Sequence, residues 1–448
     1  MIINSIKKDN FAQAETPLVL GNRAFREGDY ETAIKHYLTA QKTLPSLETI
    51  IASNLDMARR KCCTTVEEWY LQKNPDFDSN SVNYYGYIRA ESGLGAACRG
   101  YIRAIQHGGH NVTSINLPCG LRELDFPVQT ASNAFAMFNI VHMNADSIPH
   151  FFSQMGTGCL DGKYNIGLWV WELAAFRPDW LQSFQPFQEI WVPSEFCRQS
   201  ISSISPIPVH VIPYTVSQVY DVQDNNRDYF NLPEDVFVFG YMFDCASSIA
   251  RKNPFALIEA FQRAFAENHK VLLLLKFSNG NHDPELYRKI QKLIDGHSNI
   301  LTIERSLDEI ELGRFFDAID CYVSPHRTEG FGLTLAEAML AGKPVIATDY
   351  SGSVDFVKSE HAYPVKYRLV PITEQHGPYL PGYLWAEPDI DHLVERLIEV
   401  YEYPEIARSR GKEARRFIME QYSIDYVASL IKERFTRILQ TNARICHV

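Results

Sequence analysis

The 448 residues carry 54 Asp and Glu against 43 Lys and Arg, a formal net charge of −11, with 46% hydrophobic and 22% charged residues. That balance is of a soluble globular protein with room for two or three domains, and its acidity argues against broad nucleic-acid binding. The nine cysteines show no Cys-x-x-Cys or Cys/His ligand spacing, Cys62-Cys63 is too close for an ordinary bridge, and neither a membrane-length apolar run nor a signal-peptide core in MIINSIKKDNFAQAE is present, so the reading is a cytoplasmic protein with reduced thiols and no transmembrane segment.

In chain order, LGNRAFREGDYETAIKHYLTAQKTLP (Leu20 to Pro45) sets Gly21, Ala24, Gly28, Tyr30, Ala33, Tyr37, Ala40 and Pro45 at helical-hairpin spacing, with the turn at Gly28-Asp29. It resembles one tetratricopeptide repeat, and Ile51 to Arg60 resembles the first helix of another. One and a half repeats cannot bury a continuous core, so this segment is expected to pack on the rest of the chain or to self-associate, with protein-partner binding as its implied use; a plain helical extension is the alternative. Asn74 to Asn83 reads as a linker, which ends the extension (residues 1–80).

Residues 81–218 read as a Rossmann-like unit. Its strands are expected at Tyr84–Ala90, Asn111–Leu117, Phe138–Met143, Ile166–Trp171, Glu189–Val192 and Val209–Pro213. Gly93-Leu94-Gly95 follows the first strand, where backbone N–H groups meet a ligand; a tight strand-to-helix turn is the alternative, and the third glycine of a dinucleotide fingerprint is missing. His142 stands at the carboxyl end of a strand, either functional or structural. Trp169, Trp171 and Glu172 crowd aromatics beside a carboxylate, a combination that holds sugars or simply fills a core. A hinge is expected near Ser217–Asn225.

A second such unit, residues 219–422, opens with the strand Val236–Met242. Arg251-Lys252 precedes a helix start at Asn253-Pro254, where two cations can neutralise a diphosphate. Strands at Val271–Phe277 and Asn299–Glu304 lead to AIDCYVSPHRTEGFGLTLAEAMLAGKPVIATD (Ala318 to Asp349), a strand, loop, helix, strand unit. The loop Ser324–Gly332 leaves the carboxyl end of its strand, the usual ligand position of a parallel sheet. Gly330 and Gly332 allow close backbone approach, and the helix from Leu333 aims its N–H groups and dipole at the same place, which suits a phosphate. Glu329 and Glu337 flank that anion site and fit sugar hydroxyls; a solvated loop residue and a Thr334-x-x-Glu337 capping box are their alternatives. Asp76-x-Asp78 and Asp389-x-Asp391 lie in a linker and at a helix start, poor places for a metal, so neither metal nor cofactor is expected. The remaining residues, 423–448, carry an amphipathic helix over Ser423–Arg444.

EGFGLTLAEAM followed by GKPVIAT closely resembles the donor-site signature of retaining glycosyltransferases of family 4, and the resemblance runs from about Tyr84 to the C-terminus. It implies an α/β fold of the GT-B type, with two facing Rossmann-like domains and a C-terminal helix crossing back to the first. The implied reaction is metal-independent, retaining transfer of a hexose from a UDP- or GDP-sugar, GDP-mannose included, to a glycan, lipid-linked or protein acceptor, in the cytoplasm or peripherally at the membrane. By the same resemblance Glu329 holds the hexose hydroxyls, Glu337 the ribose, and the Gly330, Phe331, Gly332, Leu333 and Thr334 backbone the phosphates and sugar. Lys252 and Arg251 meet the diphosphate, Gly93, Gly95 and Glu172 line the acceptor and phosphate side, and His142, or Asn144 in a shifted alignment, faces the reacting sugar. One departure stands out: the cation expected directly after Gly240 is replaced by Tyr241. A catalytically silent scaffold that binds partners through its helical segment is the competing reading. A sugar phosphorylase of like architecture would need a pyridoxal-binding lysine context that is not seen.

Overall fold

The computed structural model describes residues 16–63, 78–216, 226–266 and 268–445; the expected hinge, Ser217–Asn225, lies outside them. Two parallel six-stranded sheets dominate. The first holds β1 (Asp78–Gly86), β2 (Asn111–Asn116), β3 (Ala136–His142), β4 (Tyr164–Leu168), β5 (Glu189–Val192) and β6 (Val209–Val211) in the order β2-β1-β3-β4-β5-β6. In the second, β7 (Phe237–Asp244), β8 (Val271–Ser278), β9 (Ile300–Ile303), β10 (Cys321–Ser324), β11 (Val345–Thr348) and β12 (Tyr363–Val365) run β12-β11-β10-β7-β8-β9. The strands are continuous apolar runs such as Val271–Leu275 because helices cover both faces of a parallel sheet. In each sheet the first strand has the next strand on one side and a later one on the other, β2 and β3 around β1, β8 and β10 around β7. These switch points leave a crevice between the loops that follow the paired strands.

The polar stretch expected as a linker is instead the start of the first sheet: Asp78–Asn83 belongs to β1. Its buried amides are satisfied sideways, by a ladder in which Asn83 Nδ2 donates to Asn139 Oδ1 at 3.0 Å and Asn139 Nδ2 to Asn165 Oδ1 at 2.8 Å. A polar string is compatible with a buried strand when neighbouring strands supply its partners. The strand expected over Ile166–Trp171 ends at Leu168, and the tryptophans after it are enclosed. An antiparallel hairpin of β13 (Tyr367–Pro371) and β14 (Leu384–Pro388) adds two strands beyond those expected.

Among the described residues three helices, Pro17–Arg26, Tyr30–Thr43 and Glu48–Cys63, precede the sheets. Asp29 caps the second by accepting from Thr32 N, and Tyr37, fully buried against Gly21, donates to Asn22 Oδ1 at 2.9 Å. The helices lie on the first-sheet unit, where Arg26 Nη1 donates to Ser202 O at 3.0 Å. Among the described residues no helix is long and apolar enough to cross a membrane.

The C-terminal helix, Ile424–Ile445, returns to the first sheet: Phe435 stacks on Phe138 at 4.4 Å, and Arg434 grips the fully buried Glu189 of β5. Arg434 Nε and Nη2 donate to the two carboxylate oxygens at 2.9 and 2.5 Å, and Trp191 Nε1 and Tyr164 OH complete the set. Burial works to raise the Glu189 pKa, but the Arg434 hydrogen bonds and charge outweigh it and hold the group below its ordinary value. Removing one partner of such a pair strands a buried charge. Arg434→Ala is therefore expected to cost about 3–5 kcal/mol, read as a lowered urea midpoint, and Glu189→Gln/Arg434→Ala to recover part of that loss. An Arg434→Ala midpoint equal to wild type would show that the helix is not anchored there.

Candidate functional site

The site lies at the switch point of the second sheet, between the loops after β7 and β10. After β7 the chain makes a short helical turn, Ile249–Lys252, bounded by left-handed backbone at Ser248 (φ 67°) and Asn253 (φ 53°). That tight path, uncommon for residues with a Cβ, presents Arg251 and Lys252 toward the β10 loop. Tyr241, where a cation was expected, is uncharged and buried, and its hydroxyl donates to Lys252 O at 2.7 Å. It fixes the backbone of the cation it does not replace.

Glu329 receives both side chains: Lys252 Nζ lies 2.5 Å from Oε1 and Arg251 Nη1 3.0 Å from Oε2. Its side chain is only 11% exposed. Burial alone would raise its pKa, but the two adjacent cations drive it well below the ordinary carboxylate range, so Glu329 stays ionised. It is thus no solvated loop residue. Its backbone is clamped by a loop that sequence reasoning passed over: Glu329 N donates to Ser351 Oγ at 2.7 Å, and Gly352 N to Glu329 O at 2.8 Å. The signal was the small-residue run Ser351-Gly352-Ser353, three residues beyond the end of β11. His326, also unremarked, is fully buried beneath, its Nδ1 3.0 Å from Ser324 Oγ and its Nε2 3.2 Å from Ser353 Oγ. Burial holds its pKa down at about 4, so it ties the two loops together as a neutral ring.

The helix Leu333–Leu340 begins at Gly332, whose φ is 97°, and no side chain caps it. The capping-box reading of Thr334-x-x-Glu337 therefore fails, since Thr334 already lies inside the helix. The open first turn leaves N–H groups for an incoming anion. Glu337, one turn in, is partly exposed, and burial pushes its pKa up to about 7. The Phe331 ring turns away into the core against Tyr214, Phe356 and Tyr422.

The same loop closes the crevice. Gly330 O accepts from Ser194 Oγ at 2.6 Å, and a Cβ on Gly330 would fall 2.0 Å from Val170 Cγ2, so glycine is needed where the two units touch. Thr328 Oγ1 donates to Glu172 O, which brings Glu172 to the cleft beside Arg251 and Lys252. The Val170 N–H donates to Asn144 Oδ1 at 3.0 Å, so Asn144 supports the wall facing Gly330.

The other expected site residues stand apart. Gly93 is exposed, with no atom within 4 Å of a Cβ built on it, whereas a Cβ on Gly95 would fall 2.0 Å from Ala90 O: Gly95 makes the tight turn and Gly93 alone faces open space. His142 is fully enclosed by Tyr84, Tyr101 and Tyr214, its Nδ1 2.5 Å from Tyr84 OH, and burial lowers its pKa to about 3. In this conformation the ring has no open face toward a substrate. Trp169 and Trp171 are buried among Phe176, Phe184 and Tyr379, which is the core reading. Asp389 caps the next helix by accepting from His392 N, and Asp391 pairs with Arg263.

Residues 224–417 match the family described as Glycosyl transferases group 1. The O-antigen biosynthesis glycosyltransferase WclY of Escherichia coli is 32% identical over 127 residues, 28% of this chain and 32% of that protein. Trehalose synthase of Pyrococcus horikoshii is 26% identical over 195 residues, 42% of this chain and 41% of that protein. The chain thus matches well under half the length of these curated relatives. Among solved structures, sucrose-phosphate synthase of Thermosynechococcus elongatus superposes with a TM-score of 0.61 at 16% identity, over 81% of this chain and 99% of that one. Anabaena HepE, in complex with UDP and glucose, gives 0.59 at 12% identity, over 80% and 99%. The two facing parallel sheets are the GT-B fold, and the stretch that matches the glycosyl transferases group 1 family, 224–417, carries Arg251, Lys252, Glu329 and Glu337.

Proposed function

We propose that the protein is a retaining, metal-independent glycosyltransferase of family 4 that moves a hexose from a UDP- or GDP-sugar to a glycan, lipid-linked or protein acceptor, in the cytoplasm or at its membrane surface. The observation that carries this reading is the buried, ionised Glu329 between Lys252 and the uncapped helix at Gly332. The helix N-terminus and Lys252 favour a diphosphate, and the carboxylate that Arg251 holds beside them is placed to accept hydrogen bonds from sugar hydroxyls. In the reaction the C1–O bond to the diphosphate breaks, the acceptor oxygen bonds to C1 from the same face, and the acceptor proton passes to the departing phosphate oxygen. Charge growing on that oxygen is met by the first-turn amides and by Lys252 once its Nζ turns from Glu329. Glu337 takes the ribose and Glu172 the acceptor side. The N-terminal helices, of tetratricopeptide type in this reading, serve a partner or self-association.

Lys252→Ala is expected to weaken nucleotide-sugar binding by about 1.5–3 kcal/mol in calorimetry. Glu329→Gln should spare free-nucleotide binding while lowering turnover on the order of a hundredfold. A silent scaffold would bind none of a panel of nucleotide sugars, and an active Glu329→Gln enzyme would remove the main support for the site.

Transfer should be unchanged in excess chelator. Restoration of activity that depends on added magnesium or manganese counts against the proposal.

Glu337 gives a pH test. Between about pH 4.5 and about 7 the folded protein keeps a proton on Glu337 that the unfolded chain has lost, so this group lowers stability as pH rises through the window. Ribose hydroxyls prefer the carboxylate, so free-nucleotide affinity should rise over the same range. Glu337→Gln should flatten both slopes, in thermal melts and in calorimetry; an unaltered affinity profile would free Glu337 of the ribose role.

A further inference from the structure

Arg251 and Lys252 are adjacent in sequence but differ in what their donors do. The Arg251 side chain is 3% exposed. Its Nη1 donates to Thr328 O at 2.8 Å and meets Glu329 Oε2 at 3.0 Å, while Nη2 donates to Ser247 Oγ at 2.7 Å and Ser247 O at 3.3 Å. A guanidinium has five N–H donors; these contacts use all those on Nη1 and Nη2, and the fifth, on Nε, has no partner but is buried out of reach. A diphosphate could reach the Nη donors only by breaking bonds that shape the β10 loop. Lys252, with its side chain 17% exposed, has its Nζ on Glu329 Oε1 and rotatable donors to spare.

Tyr379, from the segment joining β13 to β14, lies over the guanidinium with its ring centroid 5.9 Å from Arg251 Cζ. The tyrosine is itself fixed, stacked on Trp171 at 5.7 Å, and Arg177 Nη1 holds the neighbouring Pro378 O at 2.9 Å. Water is thereby kept from the Arg251–Glu329 pair, and attraction between charges strengthens as solvent is excluded. Because one guanidinium nitrogen spans Thr328 O and the Glu329 carboxylate, it fixes that side chain relative to its own backbone.

Resting on the nucleotide-sugar reading of this site, we propose that Arg251, sealed by Tyr379, is a positioning residue for Glu329, and that of the two cations Lys252 alone contacts the donor diphosphate. When Lys252 turns to a phosphate, Glu329 keeps its Arg251 bond and its orientation toward the sugar. The division explains why two cations share one carboxylate.

The test uses the full chain and calorimetry with UDP, GDP, UDP-glucose and GDP-mannose. For whichever nucleotide wild type binds, Arg251→Lys should change free UDP or GDP affinity by less than threefold, yet weaken the matching sugar nucleotide tenfold or more, with no further loss in Arg251→Lys/Glu329→Gln. Lys252→Ala should weaken both. A loss of free-nucleotide affinity of threefold or more in Arg251→Lys overturns the assignment. Should Arg251→Lys fail to fold, Tyr379→Ala is expected to lower turnover at unchanged free-nucleotide affinity, and Tyr379→Phe, which keeps the ring, to restore it; failure of Tyr379→Phe to restore turnover refutes the sealing role. If wild type binds none of the four probes, the transferase reading falls, and a denaturant double-mutant cycle on the ligand-free protein still decides the positioning claim: coupling between Arg251→Lys and Glu329→Gln of threefold or more in the unfolding constant supports it, and a smaller value overturns it.

Discussion

A carboxylate held in a nearly dry crevice by two cations is the interaction on which this site depends. The cost of burying Glu329 is offset only through Arg251 and Lys252, and those residues reach it only because β7 and β10, far apart in sequence, are neighbours in the sheet. The adjacent loop enforces the geometry: Ser351 and Gly352 hold the Glu329 backbone from one side, while Arg327 N donates to Arg251 O at 2.8 Å from the other. The carboxylate is therefore oriented before any ligand arrives, which is what an electrostatic site needs, because reorientation during reaction would cost free energy.

The loop that carries Glu329 also joins the two sheet units. Gly330 O accepts from Ser194 Oγ, Thr328 meets Glu172 O, and Glu195 N donates to Asp355 Oδ2 at 2.8 Å. Opening the crevice to admit a substrate must exchange these bonds for others, so binding and interdomain geometry are coupled through one short segment. The β13–β14 hairpin adds a second link, through Tyr379 on Trp171 and Pro378 on Arg177. The C-terminal helix, clamped at Glu189, limits how far the units can separate at the opposite end of the first sheet.

Several residues divide between chemistry and support in ways their names do not reveal. Tyr241 stands where a cation would serve, yet it holds the Lys252 carbonyl. Gly93 and Gly95 look alike in the sequence, but one is open and the other wedged against Ala90 O. His142 ends a strand beside the crevice and is nevertheless sealed by tyrosines. Asn144, two residues on, braces the Val170 wall that meets Gly330.

The sequence by itself determined the α/β class, most strands of both sheets to within a few residues, though not β12 or the start of β1, and the loop that follows β10. Apolar runs, glycine breaks and helix starts are local signals, set by backbone sterics and by which side chains leave water. The pairing of Glu329 with Lys252 was not written locally, since it joins residues 77 positions apart. Nor was the placement of Asp78–Asn83 in a strand, because the amides that satisfy Asn83 come from Asn133 and Asn139. The hairpin over Arg251 escaped notice for a like reason: its exposed β13, with Leu369 at the surface, lacks the apolar alternation of a half-buried strand. Only the tertiary structure decided which cation is enclosed and which is free to turn, because solvent exclusion and hydrogen-bond saturation depend on neighbours that the chain brings together by folding.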